Sequence, residues 1–147
     1  MPRINNIFLY EVFLNKKNDF NYLTSFEFKV EKVAAYYYVC ILERKDIRIF
    51  LDIEEAGLYV SIRIYLTQPK KCYYAYSASD TTEEYECSPL FSCIADLLDE
   101  KEYNEKHKFL MKKGRGFRGV KYYNDIANLF YEIIFAFLTK YETSSSI

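Results

Sequence analysis

The run Gly114-Arg115-Gly116-Phe117-Arg118-Gly119 fits the G-x-G-x-x-G spacing that lets a backbone approach a pyrophosphate at the start of a helix. Cys93, His107 and then Asn124 or Asp125 stand in the chain order of a thiol nucleophile, its base and an orienting group. Carboxylates cluster at Asp80, Glu83, Glu84 and Glu86, and again at Asp96, Asp99, Glu100 and Glu102. Paired acids of this kind serve general acid–base catalysis when a cleft perturbs their pKa values. Arg48, Phe50, Tyr59, Arg63 and Tyr65 share one parity along two strand-like runs. Arg and aromatic side chains gathered on one face are what binding hot spots use.

Each constellation needs particular surroundings. A dinucleotide site requires a strand before the glycines, and after the helix a second parallel strand carrying an acid. Only Phe109-Leu110-Met111 could supply the first, and the chain ends where the second would begin, so that site is not expected. An anion reading survives: Lys112, Lys113, Arg115 and Arg118 beside free helix N–H groups would favour a phosphate or carboxylate. A turn whose charges keep it solvated is the plainer account. Cys93 lies among Phe91, Ile94 and Leu97 and reads as a buried, inert thiol, whereas His107 in its Lys/Glu-rich stretch reads as a solvated surface residue. The carboxylate clusters read as solvated loops and helix ends. Neither a zinc ligand spacing nor a calcium-loop pattern occurs, so no metal, no cofactor and no enzymatic activity are expected.

Composition narrows the classes further. The 147 residues suit one domain, taken as 1–142 with a flexible tail at 143–147, and half of them are apolar. Sixteen Tyr and twelve Phe, with no Trp, fit β-structure, binding, or both. A net charge of −1 provides no global field for nucleic acid or an anionic membrane. Charge is nonetheless uneven: residues 72–111 carry nine acids against three bases, and 112–147 six bases against three acids. Cys40, Cys72, Cys87 and Cys93 form no C-x-x-C pair, which favours free thiols in a reducing compartment. With no membrane-length apolar run and no signal-like start, a cytoplasmic protein is expected.

The elements that would position these groups follow from periodicity. Ile47, Ile49, Leu51 and Ile53 alternate with polar or aromatic residues; so do Leu58, Val60, Ile62, Ile64 and Leu66 after the turn Glu55-Ala56-Gly57. That is an antiparallel hairpin with one aliphatic face. Phe26, Phe28 and Val30 predict a strand before it, Tyr36 to Leu42 a buried one, and Tyr73, Tyr74 and Tyr76 a short fifth. Residues 80–86 read as an acidic surface loop. At the N-terminus a helix running on to about Leu23 is predicted from the stripe Ile4, Phe8, Val12 and Phe13, with a strand as the competing reading. Ser88-Pro89 predicts a helix through Leu90, Ile94, Leu97 and Leu98 that ends at Asp99-Glu100; residues 101–113 stay undecided. A long helix over about 120–141 should pack on the aliphatic face and needs a further cover, either the N-terminal helix or a second copy.

The layout of a helix, then KVEK…YYYVCILERKDIRIFLDIEEAGLYVSIR, then helices resembles small immunity proteins of bacterial polymorphic-toxin systems. The likeness covers roughly residues 20–66 and lies in the strand rhythm and the charged turns ERKD and EEAG. It implies a cytoplasmic, non-enzymatic protein that binds and blocks one cognate toxin. The expectation is therefore an α+β fold: a four- to five-stranded antiparallel meander flanked by an N-terminal helix and C-terminal helices. Its partner surface would be Arg48, Phe50, Tyr59, Arg63 and Tyr65, the acidic Asp80, Glu83, Glu84 and Glu86, or both. The alternative is a nucleic-acid or phospholigand binder that uses the basic loop 112–119. Monomer and homodimer both remain open.

Overall fold

Strand alternation places Ile47, Ile49, Leu51, Ile53, Val60, Ile62, Ile64 and Leu66 on one side of the predicted hairpin, and all eight are essentially inaccessible to water. A computed structural model of the chain describes residues 7–76, 84–115 and 117–145. In it β3 (Ile47–Glu54) and β4 (Tyr59–Leu66) pair antiparallel, with Ile49 opposite Ile64 and Leu51 opposite Ile62. β1 (Glu27–Ala34) and β2 (Tyr37–Arg44) extend the sheet on one side, and β5 (Lys71–Ala75) on the other. These five strands form the expected antiparallel meander.

A sixth strand, β6 (Glu86–Pro89), runs parallel to β5 at the edge. Its four residues show no alternation, so periodicity could not find it. Pro89, which has no N–H to donate, is tolerated at the end of an edge strand.

The helices all lie on the aliphatic face. α4 (Tyr123–Ser145) buries Ile126, Phe130, Ile133, Ile134 and Phe137 in one core with the sheet residues. The predicted N-terminal helix is shorter than expected. α1 spans Leu9–Lys16, and the chain then makes two 3-10 turns at Lys17–Asp19 and Asn21–Leu23. The extended Phe20 between them breaks the helix and turns its ring onto Tyr131.

The helix predicted from Ser88 also differs. Ser88 lies in β6, and α2 is the single turn Leu90–Cys93. Asp99, expected to mark a helix exit, starts α3 (Glu100–Lys113): its Oδ1 accepts from the Lys101 and Glu102 amides at 2.9 and 3.4 Å. An N-cap carboxylate, acids in the first turn and Lys112 and Lys113 in the last suit the helix dipole, which gives the undecided stretch its structure. A 3-10 segment, Phe117–Tyr122, joins α3 to α4.

Candidate functional site: the second face of the sheet

Side chains of opposite parity project from the other side of the sheet, and among the described residues no helix packs against it. Strand register arranges them in rows. One runs Glu27, Glu43, Arg48, Tyr65, Cys72, Cys87, and the next Lys29, Ile41, Phe50, Arg63, Tyr74, Pro89. Arg48, Phe50, Arg63 and Tyr65, predicted as surface residues from parity alone, are thus gathered at the centre of this face.

Arg63 organises the cluster. Its Nε and Nη2 donate to the two oxygens of Asp52 at 3.0 and 3.2 Å, and Nη1 donates to the Tyr65 hydroxyl at 3.1 Å. The guanidinium carbon also lies 5.0 Å from the centre of the Phe50 ring and 5.8 Å from that of Tyr65. Burial opposes the charge on Arg63, but the Asp52 carboxylate and the Tyr65 hydroxyl more than offset it, so its pKa is raised. Phe50 and Tyr65 meet edge to face at 5.4 Å, and Tyr85 adds a second edge contact to Tyr65 at 5.0 Å. Tyr37 donates to Asp52 Oδ1 at 3.3 Å, and its own pKa is raised by burial and by that carboxylate. Beside this platform Glu43 bridges Arg48 at 3.5 Å and Lys29 at 3.6 Å.

Sequence reasoning misses Asp52, Tyr37 and Tyr85. A signal for Asp52 exists: it shares the parity of Phe50 and lies within reach of Arg63 across the hairpin. Tyr85 is brought in only by the path into β6.

The other predicted contact residues are scattered. Tyr59 shares the face but sits at its far end, opposite Glu54, where its hydroxyl donates to the Tyr76 carbonyl. Glu84 is exposed in the turn before β6. Glu86 belongs to the strand and not to a loop; it pairs with Lys71, itself opposite Leu66, so its parity directs it to the helix side. Asp80 and Glu83 lie outside the described residues.

The basic loop is built differently from an anion site. Lys112 and Lys113 are exposed at the C-terminal end of α3, where cations complement the helix dipole. Arg115 is exposed, the side chain of Arg118 lies outside the described residues, and the 3-10 segment separates this stretch from the start of α4. Gly114 and Gly119 serve packing, and Gly116 lies outside the described residues. A Cβ on Gly119 would stand 2.1 Å from the backbone of Gly114, and one on Gly114 would stand 2.2 Å from Leu58 Cδ2.

His107 is not the solvated residue its neighbours suggested. Its ring stacks flat on Tyr76 at 3.8 Å, its edge meets Phe130, and Nε2 lies 3.3 Å from the Val60 carbonyl oxygen. Burial lowers its pKa. Cys93 has different neighbours: Tyr73, Lys71, Asp96 and Lys140 surround it, and burial raises its pKa. Nothing in this arrangement couples the thiol to the imidazole as a nucleophile and base.

A concavity of about 500 Å³ opens on the helix side between Phe20, Tyr22, Leu97 and Phe135. On its wall Tyr103 donates to Glu132 Oε2 at 2.6 Å. Among the described residues no group of three or more His, Cys, Asp or Glu could hold a metal ion, and no helix is long and apolar enough to cross a membrane. Compared with protein-family models, with curated proteins and with solved structures, the chain finds no match.

Proposed function

We propose that this chain is a non-enzymatic protein-binding module, of the kind that neutralises a cognate bacterial toxin by binding it, with Arg48, Phe50, Arg63 and Tyr65 at the contact surface. The observation that carries this reading is the Arg–aromatic platform on a sheet face against which no described helix packs. Arg63 is held by Asp52 and Tyr65 before any partner arrives, so little side-chain freedom is lost on binding. Arg and aromatic residues also dominate measured hot spots. Exposed Glu27, Lys29, Glu31 and Arg48 supply a rim of both signs, which steers orientation more than it adds affinity. Within that class, the immunity assignment rests on the resemblance of the strand rhythm and charged turns.

The test is co-expression with the protein encoded beside this chain, read as a stoichiometric complex in gel filtration and as protection of the host from that protein's toxicity. The double variant Arg48→Ala/Phe50→Ala should remain folded, with a modestly lower Tm from the lost Phe50 ring contacts, while losing affinity by roughly 100-fold or more, the scale of hot-spot loss. Full protection by that variant would remove this face from the interface. Failure of the parent chain to bind or protect would remove the toxin-neutralising reading altogether.

A further inference from the structure

We propose that Cys72 and Cys87 form a dithiol pair that hydrogen peroxide converts to an intrachain disulfide, cross-linking the edge strand β6 to β5. The two residues are direct partners in the parallel ladder, so their side chains leave the sheet on the same side. Adjacent strands lie about 4.8 Å apart. That spacing falls within the roughly 4.4–6.8 Å between Cα atoms that a disulfide spans. The Cys87 thiol donates to the Tyr85 carbonyl at 3.7 Å, a weak bond that a turn of the side chain towards Cys72 would break. β6 is short and joined to the sheet through β5 alone, so small lateral adjustments can bring the sulfurs into bonding geometry.

Accessibility assigns the order of events. Cys87 is half-buried, whereas Cys72, beside Tyr65 in the ladder, is 1% exposed. Cys87 as its thiolate attacks a peroxide oxygen; the O–O bond breaks, and after proton transfer Cys87 carries a sulfenic acid and one water has left. The Cys72 sulfur then displaces the sulfenic oxygen, forming the S–S bond, and its proton leaves with that oxygen as a second water. Two thiols are oxidised by two electrons, and the peroxide is reduced to two waters.

Burial and then the charge of a Cys87 thiolate push the Cys72 thiol up to about 11, with the Tyr65 hydroxyl and the Arg63 charge pulling the other way. The second step should therefore quicken as the pH rises. The remaining cysteines have no such partner among the described residues: Cys40 is fully buried on the helix side of β2, and Cys93 sits in α2 beside Lys140 and Asp96.

The experiment uses the full chain, reduced, freed of reductant and exposed to a small excess of hydrogen peroxide. Expected are a mass lower by two hydrogens, a fall from four titratable thiols to two in denaturant, and one linked peptide pair containing Cys72 and Cys87. Dithiothreitol should reverse all three. In Cys72→Ser the reaction should stop at a Cys87 sulfenic acid that dimedone traps. Four thiols surviving the treatment would overturn the proposal. So would a link through Cys40 or Cys93, or oxidation of Cys87 to the sulfinic acid in the parent chain.

Discussion

Asp52 and Arg63 occupy neighbouring strands of the hairpin with side chains only 14% and 22% exposed, so their ion pair is shielded from water more than a surface pair. Asp52→Ala removes both charge-assisted hydrogen bonds and should cost about 1.5–3 kcal/mol. In a urea-melt cycle, Arg63→Ala should then cost much less in the Asp52→Ala background than in the parent; simple additivity would show that the pair is not coupled. Glu55 gives a pH-dependent counterpart. Its carboxylate reaches from the β3–β4 turn to accept from the Leu9 and Tyr10 amides at 2.8 and 3.0 Å, capping α1 from a distant part of the chain. Burial raises its pKa, and those two bonds only partly restrain the rise. The folded state therefore holds the proton more tightly than the unfolded chain. The associated stability is fully present below the unfolded carboxylate pKa and is lost as pH rises through the higher folded value. Relative to Glu55→Gln, the parent should gain stability on acidification across that window. Denaturant melts at several pH values would check this, and a constant difference between the two proteins would contradict it.

At the scale of elements, the hairpin tip is wedged against the end of α3. Leu58 is buried there in a left-handed conformation, with φ of 46°, and lies over Gly114. The 3-10 segment in turn brings Gly119 against the Gly114 backbone. Both glycines are required by close approach. Gly119→Ala meets backbone that cannot move aside, and should destabilise by about 1–3 kcal/mol or more. Gly114→Ala should cost less, because its tightest neighbour is the end of a leucine side chain, although the Leu110 carbonyl lies only 2.9 Å away. Gly57, in the turn itself, has nothing within 4 Å of where a Cβ would stand and should accept Ala with no loss. Thermal melts of the three variants rank them, and a neutral Gly119→Ala would show that the loop is not packed in this way.

For the whole molecule the question is what covers α4. Phe13 of α1 meets Phe130 and Tyr131 edge to face at 6.0 and 5.5 Å, the Tyr131 hydroxyl donates to the Phe13 carbonyl, and Tyr22 donates to the Tyr131 carbonyl. The other end of α4 is tied to the β2–β3 turn, where Tyr141 donates to Asp46 at 2.8 Å and Arg44 to Glu142 at 3.2 Å. The N-terminal segment is thus a lid within the chain. A chain beginning at Asn21 would bare Phe130 and leave the buried Tyr131 hydroxyl without its acceptor. Light scattering should show it aggregating while the full chain stays monodisperse; equal behaviour of the two would mean that the lid is dispensable.

Period-two alternation by itself determined the central hairpin, its aliphatic face and the outward parity of Arg48, Phe50, Arg63 and Tyr65, because strand side chains alternate wherever the strand is placed. The 3.6-residue pattern likewise marked α4. Tertiary structure alone decided the rest. β6 exists because β5 offers an open edge to four residues with no pattern of their own. Asp99 begins a helix where polarity suggested an end, since a carboxylate serves either boundary until the backbone around it is known. His107 is packed because β4, Tyr76 and α4 converge on it, although its immediate chain neighbours, Lys106 and Lys108, are both charged. Glu55 caps a helix that lies far from it in sequence. Each of these depends on contacts between residues distant along the chain, and no local spacing records which distant groups the fold will bring together.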